Sequence, residues 1–102
     1  RVTLAQVPLI DEAVTFAGDG IVTGASGRNW DGYGHEVELP AHFAAAERAL
    51  LTDPQTSGGL LVSCEPAALD AVLAVFRRQG FEAAAVVGRV LAANGTALRV
   101  IA

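Results

Sequence analysis

A chain of 102 residues, 52% of them hydrophobic and 18% charged, is long enough for one small domain with a core, and folding at this length covers roughly 60–70% of the unfolded surface. Seven scattered arginines, no lysine and a formal net charge of −4 exclude a protein built to grip a nucleic-acid backbone. One cysteine, Cys64, excludes an internal disulfide and a thiolate-rich metal site, and the high apolar content predicts that part of the surface meets a partner.

In chain order, Val2, Leu4, Ala5, Val7 and Pro8 are compatible with a short strand. Asp11 can cap a helix running to about Ala17, with Ile10, Val14 and Ala17 on one face and Gly18 and Gly20 as its stop. Between Gly18 and Gly34 the chain places more than half of its eleven glycines, which predicts a long, backbone-permissive loop without helix or strand periodicity. Pro40 suits the first turn of a second helix, in which Phe43, Ala46 and Leu50 share a stripe before Asp53-Pro54 ends it. Residues 60–64 form a continuous apolar run that suits a strand buried on both faces. A third helix opens at Pro66, carries Leu69, Val72, Leu73 and Phe76 at i, i+3, i+4, i+7, turns Asp70 and Arg77 to water, and closes at Gly80. Residues 84–90 read as a strand, and Asn94-Gly95 as a type I′ hairpin turn into a last strand over residues 98–101. No internal repeat or low-complexity segment is present.

Two stretches carry chemistry. In the run LLTDPQTSGGLL, residues 50–61, Asp53 precedes a proline and is held extended, so that its carboxylate can accept from the amides that follow. Gln55, Thr56 and Ser57 add three polar side chains, and Gly58 and Gly59 remove Cβ atoms where a ligand or another backbone can come close. This suggests anion or phosphate contact; the plainer reading is a tight helix-to-strand connection. With no helix after the glycines and no lysine, it is not a Walker loop. The second stretch, GRNWDGYGHE over residues 27–36, mixes Arg28, Asn29, Trp30, Asp31, Tyr33 and His35 among glycines. Arg28 could meet a phosphate, Asn29 a base, ribose or phosphate, and Trp30 or Tyr33 could stack on a base or simply pin the loop to the core. His35 and His42 lack further ligands at a recognised spacing, so no metal site is assigned. Cys64, at the end of an apolar run, reads as a buried inert thiol, and the pairs Asp11 and Glu12, and Glu36 and Glu38, read as solvated carboxylates.

These two motifs, in this order, closely resemble signatures of selenophosphate synthetase (selenide, water dikinase), of the aminoimidazole ribonucleotide synthetase superfamily. The likeness extends over roughly residues 7–90 and corresponds to about the last third of a family member. It implies an α+β fold, with helices packed on a mixed β-sheet like the superfamily's C-terminal domain, here incomplete. Residues 1–102 would then be one C-terminal domain, a fragment of a larger enzyme, with residues 18–39 as its glycine-rich functional loop. The family converts selenide, ATP and water to selenophosphate, AMP and phosphate, with magnesium neutralising the polyphosphate.

Matching positions are Asn29, Asp53, Gln55, Thr56, Ser57, Gly58 and Gly59, which the resemblance makes nucleotide- or phosphate-binding. No catalytic residue and no metal ligand carries over. The family's catalytic cysteine and lysine, its N-terminal glycine-rich loop, its magnesium-holding aspartates and the Asp-Val-Thr-Gly-Phe-Gly-like motif have no counterpart in this sequence, and Cys64 does not take the nucleophile's place. The resemblance therefore implies that the 102 residues alone are inactive and bind neither ATP nor Mg2+ tightly; the alternative is a non-catalytic phosphate- or nucleotide-binding or oligomerisation module of the same superfamily. The implied partners are the N-terminal half of the same enzyme, a second subunit in a homodimer, and the small molecules selenide and ATP, with no nucleic acid and no membrane. No leader is read at Arg1 and no run reaches the ~18 apolar residues of a membrane span, so the cytoplasm is the expected location.

Overall fold

Three short strands gather the two ends of the chain into one sheet. The computed structural model describes residues 1–93 and 95–102. Its elements are β1 (Val2–Thr3), α1 (Asp11–Gly18), α2 (Gly24–Tyr33), β2 (Val37–Glu38), α3 (Ala45–Thr52), α4 (Leu69–Arg78) and β3 (Leu98–Ile101), with single 3-10 turns at Leu4–Gln6, Gly34–Glu36 and Pro66–Ala68. The strand order is β1-β3-β2, and both pairings are parallel, with Val2 opposite Val100 and Val37 opposite Leu98. On the outer side of β1, Gly88 makes an antiparallel bridge to Val2, flanked by bonds from Thr3 N–H to Val87 O at 2.8 Å and from Arg89 N–H to Arg1 O at 2.9 Å. The fold is α+β, as the resemblance implied; its three strands are all parallel, and the only antiparallel pairing among the described residues is the single bridge at Gly88.

Close approach explains Gly88. A Cβ at this position would lie 2.0 Å from the Arg1 carbonyl oxygen, a backbone atom that cannot move aside without undoing the bridge.

Several expectations are corrected here. Residues 24–33 are a helix rather than a loop. Glycine lowers helix propensity, yet Ser26, Asn29, Trp30 and Tyr33 recur at i, i+3, i+4, i+7, and packing of that face on α3 and the sheet overrides the propensity. The second helix begins at Ala45, not at Pro40: Pro40 instead accepts from Phe43 N–H in a turn, and the Glu47 carboxylate accepts the Ala44 N–H at 2.8 Å to start α3. Residues 60–64 form no strand; Leu60 and Leu61 are 81% and 83% exposed, and Cys64 is exposed rather than buried. Their apolar run has the composition of a central strand, but a strand needs a neighbour to bond, and no described strand pairs with it. Residues 84–90 contribute the single bridge at Gly88 and not a full strand. They do not form a hairpin with β3, because β1 stands between them; of the predicted turn, Asn94 lies outside the described residues, and Gly95 has a φ of 88°.

The remaining helices follow the sequence. α1 spans Asp11–Gly18, and Gly20 just beyond it has a φ of 80° that only glycine adopts freely. Of its predicted face only Ala17 is buried, because α1 meets α3 through small side chains and turns Ile10 and Val14 outward. α4 keeps Leu69, Val72, Leu73 and Phe76 half-buried on one stripe, with Asp70 and Arg77 exposed and the Phe81 ring packed edge-on to Phe76 at 6.4 Å.

Among the described residues the buried set is Ala17, Ser26, Thr52 and Val100, so the centre of the molecule lies where α1, α2 and α3 meet and under β3. The chain exposes 7576 Å², whereas a self-contained protein of 10.5 kDa exposes about 5,400 Å². Its radius of gyration of 14.7 Å likewise exceeds the roughly 13 Å of a compact domain of this length.

Candidate functional site

The two sequence motifs converge at the C-terminal end of α3. That helix cannot finish on a glycine cap, because Asp53 is extended (φ −61°, ψ 129°) and Pro54 has no N–H to return to the last carbonyls. Side chains from α2 take over. Asn29 Nδ2 donates to the Thr52 carbonyl oxygen at 2.9 Å, the hydroxyls of Ser26 and Thr52 share a hydrogen bond, and Ser26 Oγ also lies 3.5 Å from Ala49 O. Thr52 Oγ1 returns to Arg48 O at 2.9 Å. Just before α2, Thr23 Oγ1 donates to Asp53 Oδ1 at 3.1 Å. Ser26 and Thr52 are 6% and 4% exposed, so these polar groups are largely cut off from water and depend on one another.

From this anchored start the chain runs over residues 53–59 in the open. Asp53, Gln55, Thr56, Ser57, Gly58 and Gly59 are all exposed. Gln55 folds back on its own loop, its side chain lying where a Cβ on Gly58 would come within 3.0 Å. A Cβ on Gly59, by contrast, would meet nothing within 4 Å, so its bare backbone faces open space that a ligand can enter. The loop thus offers exposed amides, two hydroxyls and one fixed carboxylate.

The rest of the second motif divides by role. Trp30 is half-buried against Gly34, where a Cβ would come within 2.7 Å of the indole, and the Arg48 guanidinium lies 5.2 Å from its ring centroid. With Tyr33, Leu39, Leu51 and Val100, Trp30 lines the apolar space between α2, α3 and the sheet, which favours the pinning role over base stacking. Arg28 is exposed near the start of α2, and His35 forms an exposed pair with Glu36 at 3.6 Å. Glu38 pairs with Arg99 across the β2–β3 edge at 2.8 Å. Among the described residues no group of three or more His, Cys, Asp and Glu side chains comes together, and Asp53 is the sole carboxylate in the 53–59 loop, so this donor set does not by itself fit a divalent cation. No helix among the described residues is long and apolar enough to cross a membrane.

Thr23 and Thr52 escaped the sequence reading. A threonine just before Asp-Pro at a helix end, with a serine and an asparagine three apart upstream, was the available signal.

Comparison with known proteins gives the chain its family. The model of the AIR synthase related protein, C-terminal domain, matches residues 3–101, and the chain belongs to that family. Within it, the chain is 56% identical over 95 residues to the selenide, water dikinase of Paraburkholderia xenovorans (strain LB400), covering 93% of this chain and 27% of that protein. It is 53% identical over 89 residues to that of Pseudomonas straminea, covering 87% of this chain and 25% of the relative. For Rhizobium meliloti (strain 1021) the figures are 44% over 98 residues, 96% and 28%. The chain spans about a quarter of the length of the curated relatives it matches.

Proposed function

We propose that this chain is the C-terminal part of an ATP-dependent selenide, water dikinase of the cytoplasm, and that it supplies one wall of the site where polyphosphate is cleaved. The set Asn29, Asp53, Gln55, Thr56, Ser57, Gly58 and Gly59 is its contribution. The observation that carries this reading is the meeting of the two motifs at the end of α3, where an exposed, glycine-bearing loop leaves from a hydrogen-bonded base. Backbone amides and hydroxyls in such a loop suit phosphate oxygens, which only accept.

Phosphoryl transfer also needs cations to neutralise the charge that builds on the transferred group. In this reading Mg2+ is held mainly by carboxylates outside these 102 residues, in the N-terminal half, and ATP and selenide bind between the halves of a homodimeric enzyme. The 102 residues alone bind ATP weakly and do not turn over. The surplus of exposed surface supports a missing neighbour: about 2,000 Å² above expectation is more than the roughly 800 Å² that one partner buries in a standard interface.

The test is a two-dimensional amide NMR titration of the chain with Mg-ATP, then with AMP and phosphate. Movement concentrated at residues 53–59 and around Asn29 is the expected result. The chain is then combined with the Paraburkholderia xenovorans relative lacking its matching C-terminal quarter, and selenide-dependent AMP formation is measured. Restoration of AMP formation is expected, with none from the chain alone. ATP conversion to AMP by the chain alone, above a D53A control, would overturn the inactivity, and failure of the mixture together with a silent titration would overturn the assignment.

A further inference from the structure

Thr52 O, the atom that Asn29 grips, belongs to the peptide unit joining Thr52 to Asp53. That unit is planar, so fixing its oxygen fixes the plane from which the 53–59 loop departs. Thr23 then fixes one carboxylate oxygen of the next side chain, Asp53, at 3.1 Å. Backbone and side chain of the loop's first residue are thus both held by α2 and the residue that precedes it. The same Asn29 bond satisfies a carbonyl that the helix end leaves orphaned, and Pro54 removes the usual alternative donor.

We infer that Asn29 is a positioning residue, which aims the 53–59 loop through the Thr52 carbonyl and does not itself touch the phosphate-bearing ligand. This rests on the reading of residues 53–59 as phosphate-facing, and it separates Asn29 from the other members of that set. The half-buried Asn29 commits one of its two amide N–H groups to Thr52, and its oxygen can only accept, as phosphate oxygens do, which leaves a single N–H for any other partner.

Two measurements on the full chain test it. In the unaltered protein, a scalar coupling across the hydrogen bond between Asn29 Nδ2 and the Thr52 carbonyl carbon is expected; its absence would sink the inference without any variant having to fold. Second, amide spectra of N29A and of T23V are recorded without ligand and then with Mg-ATP. The expected result is that the ligand-free signals of residues 53–59 move in both variants while those of α4 stay, with Mg-ATP affinity reduced about tenfold, the order of one lost hydrogen bond. Ligand-free loop signals that stay in place while N29A loses affinity would make Asn29 a direct contact and overturn the proposal, and so would N29A signals and affinity that both stay in place. If Mg-ATP moves nothing even in the unaltered chain, the binding reading fails separately, while the ligand-free spectra still decide whether Asn29 aims the loop.

Discussion

Helices α2 and α3 are poor in large apolar side chains, yet they are knit together; residues 60–64 and α4 are rich in leucine and valine, yet they lie open. At the first place Ser26 and Asn29 bond Thr52 while Thr23 bonds Asp53, and two of the four buried residues among those described are polar. At the second, Leu60 and Leu61 are more than four-fifths exposed and the stripe of α4 is only half covered. Apolar content states what a segment gains by being covered, whereas burial needs a facing surface. Region 24–52 finds its facing surface within the chain, and residues 60–64 do not.

Substitutions can break that contrast. The largest effect is expected from Gly88→Val: the new side chain collides with the Arg1 carbonyl, and a loss of about 3 kcal/mol in urea unfolding should accompany disappearance of the β1 bridge signals. Thr52→Ala leaves the buried Ser26 hydroxyl without its close partner and should cost about 2 kcal/mol by the same measurement. Arg48→Ala removes the cation from the face of Trp30 and should cost about 0.5–1 kcal/mol, with a change in indole fluorescence. The smallest effect on folding, within about 0.5 kcal/mol, is expected for the doubly substituted L60E/L61E chain, since both side chains already stand in water. Sedimentation sharpens the comparison: if the open apolar run is an interface, the same double substitution lowers self-association of the chain and weakens restoration of activity in the mixture with the truncated relative. A large loss of stability in L60E/L61E would mean that residues 60–64 are covered in solution after all.

Much of this could be read from the residues. Helices α1 and α4, the end of α3 at Asp53 and the strand at residues 98–101 follow from caps, periodicity and proline, because those signals act within a few positions. The family followed from two motifs, and their meeting in space is what the structure adds. Helix α2 was hidden by its glycines: the period formed by Ser26, Asn29, Trp30 and Tyr33 is partly polar, and a search for apolar stripes passes over it. The order β1-β3-β2 was equally out of reach, because parallel register depends on partners far apart in sequence. The strand predicted at residues 60–64 was a correct reading of preference with no neighbour to satisfy it.

One consequence of the sheet concerns synthesis. β3, made after the other two described strands, is the middle one, and β1 and β2 are joined through it. While the ribosome still holds residues 98–101, the two earlier strands have nothing to bond to, and α2 and α3 lack the Val100 side chain that closes their underside. The loop that leaves α3 therefore gains its final footing only after residues 98–101 have left the ribosome, so pausing upstream of Leu98 would prolong the interval in which the apolar run at residues 60–64 and the unfinished sheet are exposed together.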